Sequence, residues 1–296
     1  MAAKIVAFMN QKGGVGKTTT TVNVGAILAS EYGRRVLLID LDPQGNLSDH
    51  MGLDPNTTEE SVYNVLIDGE DPRRVIRRVH GLEVMPANLD LSGAEVELAG
   101  MEDRTSLLRN ALAGLRDQYD YILMDCPPSL GLLTVSGLAA ADAVVVAMEA
   151  EYLALRGISQ LLHTVQRIGE AMNPGLEVTG VVFCMFDGRT MLAKDVRAEV
   201  EKHLPGKVYR TAVRKNVRLA EAPSRGVPVI AYDPRCAGAD DYREVTAEFV
   251  TRFEGPEAVT EVTVTADGEP DILAATPVVP ESDDGRGSWQ RQPVWR

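Results

Sequence analysis

Apolar residues in this chain come in short continuous runs: Ile5–Met9, Val36–Ile39, Leu82–Met85, Tyr121–Met124, Ala143–Met148 and Val178–Met185. Unbroken runs of this kind fit strands covered on both faces, where alternation with polar residues is not needed. Between them the apolar period lengthens to three or four. From Leu153 to Met172, Leu155, Ile158, Leu161, Leu162, Val165 and Ile168 mark one helical face, and Asn173-Pro174-Gly175 stops the helix. Strands alternating with helices predict an α/β fold, a mostly parallel twisted sheet flanked by helices. No internal repeat is visible. Past Arg252 the pattern fails: residues 254–296 are rich in Pro, Gly, Thr, Asp and Glu, with nine acidic residues against three arginines. The sequence thus divides into a folded domain over 1–253 and a disordered acidic tail over 254–296. The closing stretch Trp289-Gln-Arg-Gln-Pro-Val-Trp295-Arg296 admits a second reading, a short docking peptide.

Composition narrows the class. A chain of 296 residues, 45% hydrophobic, can build its core without disulfides or a structural metal. Cys126, Cys184 and Cys236 are far apart and form no CxxC pair, so neither a disulfide framework nor a zinc or iron–sulfur site is expected, and a reducing cytoplasm is the simplest compartment. The N-terminal apolar run is too short for a signal peptide, and no stretch approaches the roughly 20 apolar residues of a membrane span, so no membrane partner is expected. The formal net charge of -13 argues against a polyanionic ligand, but its distribution contradicts the mean. Between Arg189 and Arg225 ten Lys/Arg face four acids. Phosphate contacts need only surface cations and carry no sequence information, so the cluster suits nonspecific, salt-sensitive binding of a polyanion.

The chemistry is concentrated in Lys12-Gly13-Gly14-Val15-Gly16-Lys17-Thr18-Thr19, which follows an apolar strand and opens a helix near Gly16. That context predicts a phosphate loop, and with it a P-loop NTPase-type three-layer fold binding ATP and Mg²⁺. Glycines let backbone N–H groups turn inward on phosphate oxygens, and the helix N-terminus adds partial positive charge. Lys17 is placed to neutralise the β- and γ-phosphates and the Thr18 hydroxyl to ligate magnesium. The metal needs an acidic partner at a neighbouring strand end. Asp125, before Cys126-Pro127-Pro128, is one candidate; Asp40 and Asp42, after Val36–Ile39, are others, and one of these could orient the attacking water. Lys12 stands where an ordinary loop of this type begins with glycine. A second cation beside the triphosphate is costly alone but useful across a dimer interface, where it can reach a partner's nucleotide as an arginine finger does.

With Lys12 in place, the loop resembles the deviant Walker A motif of the ParA/MinD superfamily of P-loop ATPases. Asn10-Gln11, Asp40-Leu-Asp42-Pro-Gln-Gly-Asn46, Asp125-Cys-Pro-Pro-Ser-Leu-Gly-Leu-Leu-Thr134 and Asn216-Val-Arg-Leu-Ala-Glu-Ala-Pro-Ser224 are similar to the ParA (Soj) branch, over roughly residues 3 to 252. The resemblance implies an ATP-dependent sandwich homodimer in which Lys12 is the signature lysine contacting the partner's ATP. It makes Lys17 the phosphate lysine, Thr18 the Mg²⁺ ligand and Thr19 a phosphate contact. Asp42 becomes the residue positioning hydrolytic water, with a possible share in the metal site, and Asp125 the Walker B aspartate, acting on the metal through water. Asn216 is placed near the adenine, although Arg214 stands where the family usually has proline. The family binds double-stranded DNA nonspecifically as ATP dimers, leaves it after a ParB-like activator stimulates hydrolysis, and so moves chromosome, plasmid or protein cargo over the nucleoid. Arg218, with Arg189 and Arg214, falls in or beside the stretch resembling its DNA-binding face.

Three rivals share the loop. A MinD-like membrane ATPase needs a basic amphipathic C-terminal helix, and 254–296 is acidic and broken by proline. A reductase of the nitrogenase iron-protein type needs paired cysteines for a bridging cluster. An ATP-gated DNA-binding regulator or scaffold would look almost the same in sequence.

Overall fold

The structure, a computed structural model, describes residues 2–152 and 154–259, apart from the side chain of Arg156. Met1, Leu153 and most of the expected acidic tail, from residue 260 on, lie outside the described residues.

The apolar runs become strands β1 (Lys4–Met9), β2 (Val36–Asp40), β4 (Leu82–Met85), β5 (Tyr121–Asp125), β6 (Ala143–Glu149) and β7 (Glu177–Cys184), each within a residue or so of its expected ends. A further strand, β3 (Arg77–Val79), was not expected, because Arg77-Arg78-Val79 carries no apolar pattern. The sheet runs β3-β4-β2-β5-β1-β6-β7, every neighbouring pair parallel except the β3–β4 hairpin.

Alternate residues of each strand enter different cores, as the two-residue period requires. Ile5, Ala7 and Met9 pack with Leu37, Ile39, Ile122 and Met124 on one face. Val6 and Phe8 pack with Leu38, Leu123 and Val145 on the other. The first core is covered by helices that include Leu132–Ala140 and Ala154–Met172; Ile158, Leu161, Val165 and Ile168 are buried as their spacing predicted. The second is covered by the helices Lys17–Ser30 and Ala237–Glu254, whose Phe249 ring stacks on Phe8 at 6.4 Å. Gly25 lets the first of these lie close to the sheet, since a Cβ there would stand 2.6 Å from Leu38. The last helix ends with Glu254 paired to Arg34 at 2.6 Å and accepting from the Tyr121 hydroxyl at 2.7 Å. A turn at Pro256–Val259 closes the described chain. No described helix is long and apolar enough to cross a membrane.

The chain leaves central β1 for a helix and returns to strands on both sides of it, β5 on one side and β6 on the other. Such a reversal of strand order opens a crevice at the carboxyl ends of the strands, where open α/β sheets bind ligands. Asp40 and Asp125 are register partners at the ends of β2 and β5, beside the loop that follows β1.

Candidate nucleotide-binding site

Asn10 fixes the entrance of the loop. Its amide donates to the Ala147 carbonyl at 2.7 Å, and its Oδ1 accepts from the Lys12 N–H at 3.0 Å. Gly14 and Gly16 sit at φ 73° and 93°, the left-handed region closed to most side chains. A Cβ on Gly13 or Gly14 would meet nothing within 4 Å, so the inner side of the loop is open. Val15 is buried and anchors the loop from behind. The floor is polar but satisfied: the Thr20 hydroxyl donates to the Gly16 carbonyl at 2.7 Å and meets the Tyr242 hydroxyl at 3.1 Å. The helix Lys17–Ser30 has no side-chain cap and no acid in its first turn, which leaves its terminal N–H groups for an anion.

Lys17 is 6% exposed, and its Nζ donates only a long 3.3 Å bond to the Lys12 carbonyl. Thr18 donates to Asp125 Oδ2 at 2.5 Å, while Asp125 Oδ1 is buried with no hydrogen-bond partner. Burial, reinforced by the charge of Asp40, pushes the Asp125 carboxyl well above the usual carboxylate range. Asp40 is also fully buried, and burial raises it to about 6. Its oxygens are engaged, by the N–H of Asp42 at 3.1 Å and by the N–H and hydroxyl of Ser48 at 2.9 and 2.8 Å. Asp42 accepts from the Gln44 N–H at 3.0 Å and lines the cavity. Of the two aspartates at the end of β2 and just beyond it, Asp40 therefore builds the loop and Asp42 faces the ligand space.

These residues line a cavity of about 890 Å³ that extends from Gly13, Lys17 and Thr18 to Asn216 and Tyr242. Among the described residues no cluster of His, Cys, Asp or Glu could by itself hold a metal. That suits Mg²⁺, which takes one or two protein oxygens and completes its shell with waters and phosphates. The orphaned Asp125 oxygen beside Thr18, and the sparsely bonded Lys17, are what such a complex would satisfy, so the residues present fit MgATP.

Lys12 lies across the mouth of the loop, 47% exposed, pairing with Glu149 at 3.1 Å and Glu151 at 2.7 Å. Glu151 above all, then Glu149, raises its pKa. Thr19 stands with Thr18 in the cavity wall. Asn216 caps the helix Val217–Glu221 through a 2.8 Å bond from the Arg218 N–H. Arg214, also expected as a DNA contact, is 58% exposed but tied to a buried acid. Its guanidinium and backbone N–H are held by Asp241, at 2.6 and 2.8 Å for the shortest bonds. Arg218 pairs with Glu221 and Asp233, and Arg189, 91% exposed, with Asp187. Sequence reasoning missed Asn10 as an anchor, the Glu149/Glu151 pair, Asp241 and His50. His50 lines the same cavity with Nε2 unpartnered, and burial lowers its pKa to about 4. Asn10 stands in the Asn10-Gln11 pair, but its anchoring role has no signal in the spacing, and the others have no motif of their own; each is fixed by contacts between distant segments.

Comparison with known proteins gives consistent relatives. A family model described as an AAA domain matches residues 3–178. The chain is 49% identical over 247 residues to the sporulation initiation inhibitor protein Soj of Bacillus subtilis (strain 168), covering 83% of this chain and 97% of that one. It is 46% identical over 254 residues to the chromosome partitioning protein ParA of Caulobacter vibrioides (strain NA1000 / CB15N), covering 84% and 94%. A crystal structure described as cobyrinic acid a,c-diamide synthase of Mycobacterium smegmatis with bound ATP analog and magnesium is 37% identical, covers 85% and 96%, and superposes with a TM-score of 0.77.

Proposed function

The chain belongs to the ParA/Soj family of partitioning ATPases, and from that premise we propose that it is a nucleotide-switched positioning device. In this reading the ATP-bound form pairs face to face with a second copy, binds DNA without regard to sequence, and is released when a ParB-like activator stimulates hydrolysis. Bound MgATP supplies a cleavable phosphoanhydride and a divalent cation that offsets its charge. The loop N–H groups from Gly13 to Thr19 and the Lys17 ammonium hold the phosphates; Thr18, with Asp125 acting through water, holds the cation. Asp42 orients the attacking water from the rim of the cavity. Asn216 sits at the far end, on the side of the base. Lys12 reaches a nucleotide held by the partner copy, exchanging its contacts with Glu149 and Glu151 for phosphate.

The observation that supports this most directly is the contrast between two lysines of one loop. Lys17 is buried in the cavity, whereas Lys12 stands half exposed at its mouth, with acidic partners that a phosphate can replace. A site completed only by a second copy predicts slow turnover that rises with protein concentration and rises further with DNA and activator. Fast turnover independent of concentration contradicts it. The decisive measurement is DNA binding by the full chain with ATP, ADP or no nucleotide across a salt series. Binding is expected with ATP alone and should weaken steeply with salt; equal binding in all three states would remove the switch.

A further inference from the structure

A second open cavity, of about 860 Å³, lies between the helix Met191–His203 and the last turns of the helix Ala237–Glu254. Phe186, Ala198 and Val208 give it an apolar wall. Four cations line it, Lys194, Arg197, Arg210 and Arg252, against two acids, Glu201 and Glu248. Both acids are already engaged. Glu201 accepts from the Gly206 N–H at 2.9 Å, and Glu248 accepts from the N–H groups of Arg210 and Thr211, each at 2.8 Å. Arg197 and Arg252 brace backbone carbonyls and lie over the rings of Phe186 and Tyr209, at 5.8 and 4.3 Å. Lys194 has no acidic partner among the described residues, and the Arg210 side chain is 91% exposed, its guanidinium Nε 3.8 Å from Glu248. The groove therefore offers unsatisfied positive charge beside an apolar wall with guanidinium faces, chemistry suited to an acidic segment carrying a large aromatic.

We propose that the occupant is the chain's own C-terminal segment, residues 260–296. That segment carries seven acids against three arginines, and it holds Trp289 and Trp295, the two tryptophans of the whole chain. It departs after Val259, a few residues beyond the helix that forms one wall of the groove. Its length, at up to about 3.4 Å per residue, spans the distance many times over. Tethering of this kind gives an effective concentration on the order of mM, enough for a modest ionic contact to be populated. In the docked state Glu281, Asp283 and Asp284 face Lys194 and Arg210, and a tryptophan covers the Phe186 wall. The same cations belong to the basic stretch between Arg189 and Arg225, so a docked segment screens part of the DNA face. That last consequence rests on the function proposed above; the docking itself does not.

Tryptophan fluorescence of the full chain reports on this segment alone. At low salt the emission should be blue-shifted, and less accessible to acrylamide, than that of a synthetic peptide of residues 260–296. Both differences should vanish at high salt, in a Lys194→Glu/Arg210→Glu variant with wild-type circular dichroism, and in Glu281→Gln/Asp283→Asn/Asp284→Asn, whose changes lie outside the packed core. The signal should not depend on protein concentration. Emission equal to the free peptide at low salt overturns the proposal. So does a signal untouched by the groove variant, or one that grows with concentration and marks a second copy as the occupant. The acidic-segment variant should also bind DNA roughly threefold or more tighter at low salt. If the fluorescence differences appear and DNA affinity does not change, the docking stands and the screening falls.

Discussion

Asp40, Asp42 and Asp125 meet in one cleft at the ends of β2 and β5, yet their surroundings give them different work. Asp40 is consumed by Ser48 and the backbone of Asp42, whereas Asp125 keeps one buried oxygen unpartnered. Folding raises the Asp125 pKa above its unfolded value, mainly by burial. The folded state then binds that proton more tightly, so this residue's contribution to stability falls as pH rises through the interval and stays unfavourable above it. Asp125→Asn removes the cost and keeps an oxygen for Thr18. Its melting temperature should exceed that of the wild type near pH 8, by about 2–4 °C per kcal/mol recovered. The advantage should shrink as pH falls toward about 3, below the unfolded carboxyl's own range, where both states of the wild-type carboxyl are largely protonated, while magnesium-dependent nucleotide binding is lost. Thermal melts across pH, with and without MgATP, check both halves; an advantage that does not vary with pH would show that charge burial is not its source. Asp42→Ala should leave ATP-dependent dimerisation intact and reduce turnover about 100-fold or more, as expected when a water-positioning group is removed; retained hydrolysis would take that role from Asp42.

Whole elements declare themselves in the sequence to the extent that their reasons are local. Six strands could be drawn from apolar runs, and the phosphate loop from its glycines, because short continuous stretches carry the information. Strand β3 could not: Arg77-Arg78-Val79 is a strand only because it pairs with β4 across the hairpin. The loop leading to Asn216 is a similar case. The conformation around Arg214 is held by Asp241, 27 residues on, which binds both the guanidinium and the backbone N–H. No spacing rule could reveal that pair. Asp241→Ala should therefore loosen the loop at the base end of the cavity, weakening ATP affinity by roughly 1–2 kcal/mol, the order of a charge-assisted hydrogen bond. The rate at saturating ATP should stay near wild type, because the groups proposed to act on the phosphates, Lys17, Thr18 and Asp42, lie at the other end. Equilibrium binding and steady-state kinetics separate the two; a lower saturated rate with unchanged affinity would argue against a positioning role.

On the scale of the molecule, the sequence alone could locate a basic stretch in an acidic chain but could not say which of its cations are available. Availability is set by partners. Arg214 is itself 58% exposed, but its guanidinium and backbone N–H are both bonded to an aspartate whose side chain is 8% exposed, so its charge is tied to the fold. Arg189 and Arg218 are paired with acids at the surface, and such pairs are worth little in water and yield readily to phosphate. Reversing charge at the three positions should consequently give two different phenotypes. Arg189→Glu and Arg218→Glu should weaken binding of unrelated DNA sequences alike and make the dependence of log affinity on log salt shallower by about 1 for each phosphate no longer neutralised. Nucleotide affinity should stay unchanged in both. Arg214→Glu places a second acid against Asp241 and should disturb the loop before Asn216, so nucleotide affinity falls first and the DNA defect follows from it. Titrations of DNA under saturating ATP, paired with nucleotide binding in the absence of DNA, distinguish the two patterns. If Arg218→Glu leaves both the affinity and the salt slope for DNA unaltered, the polyanion meets the protein on some other face, even though the local charge surplus lies here.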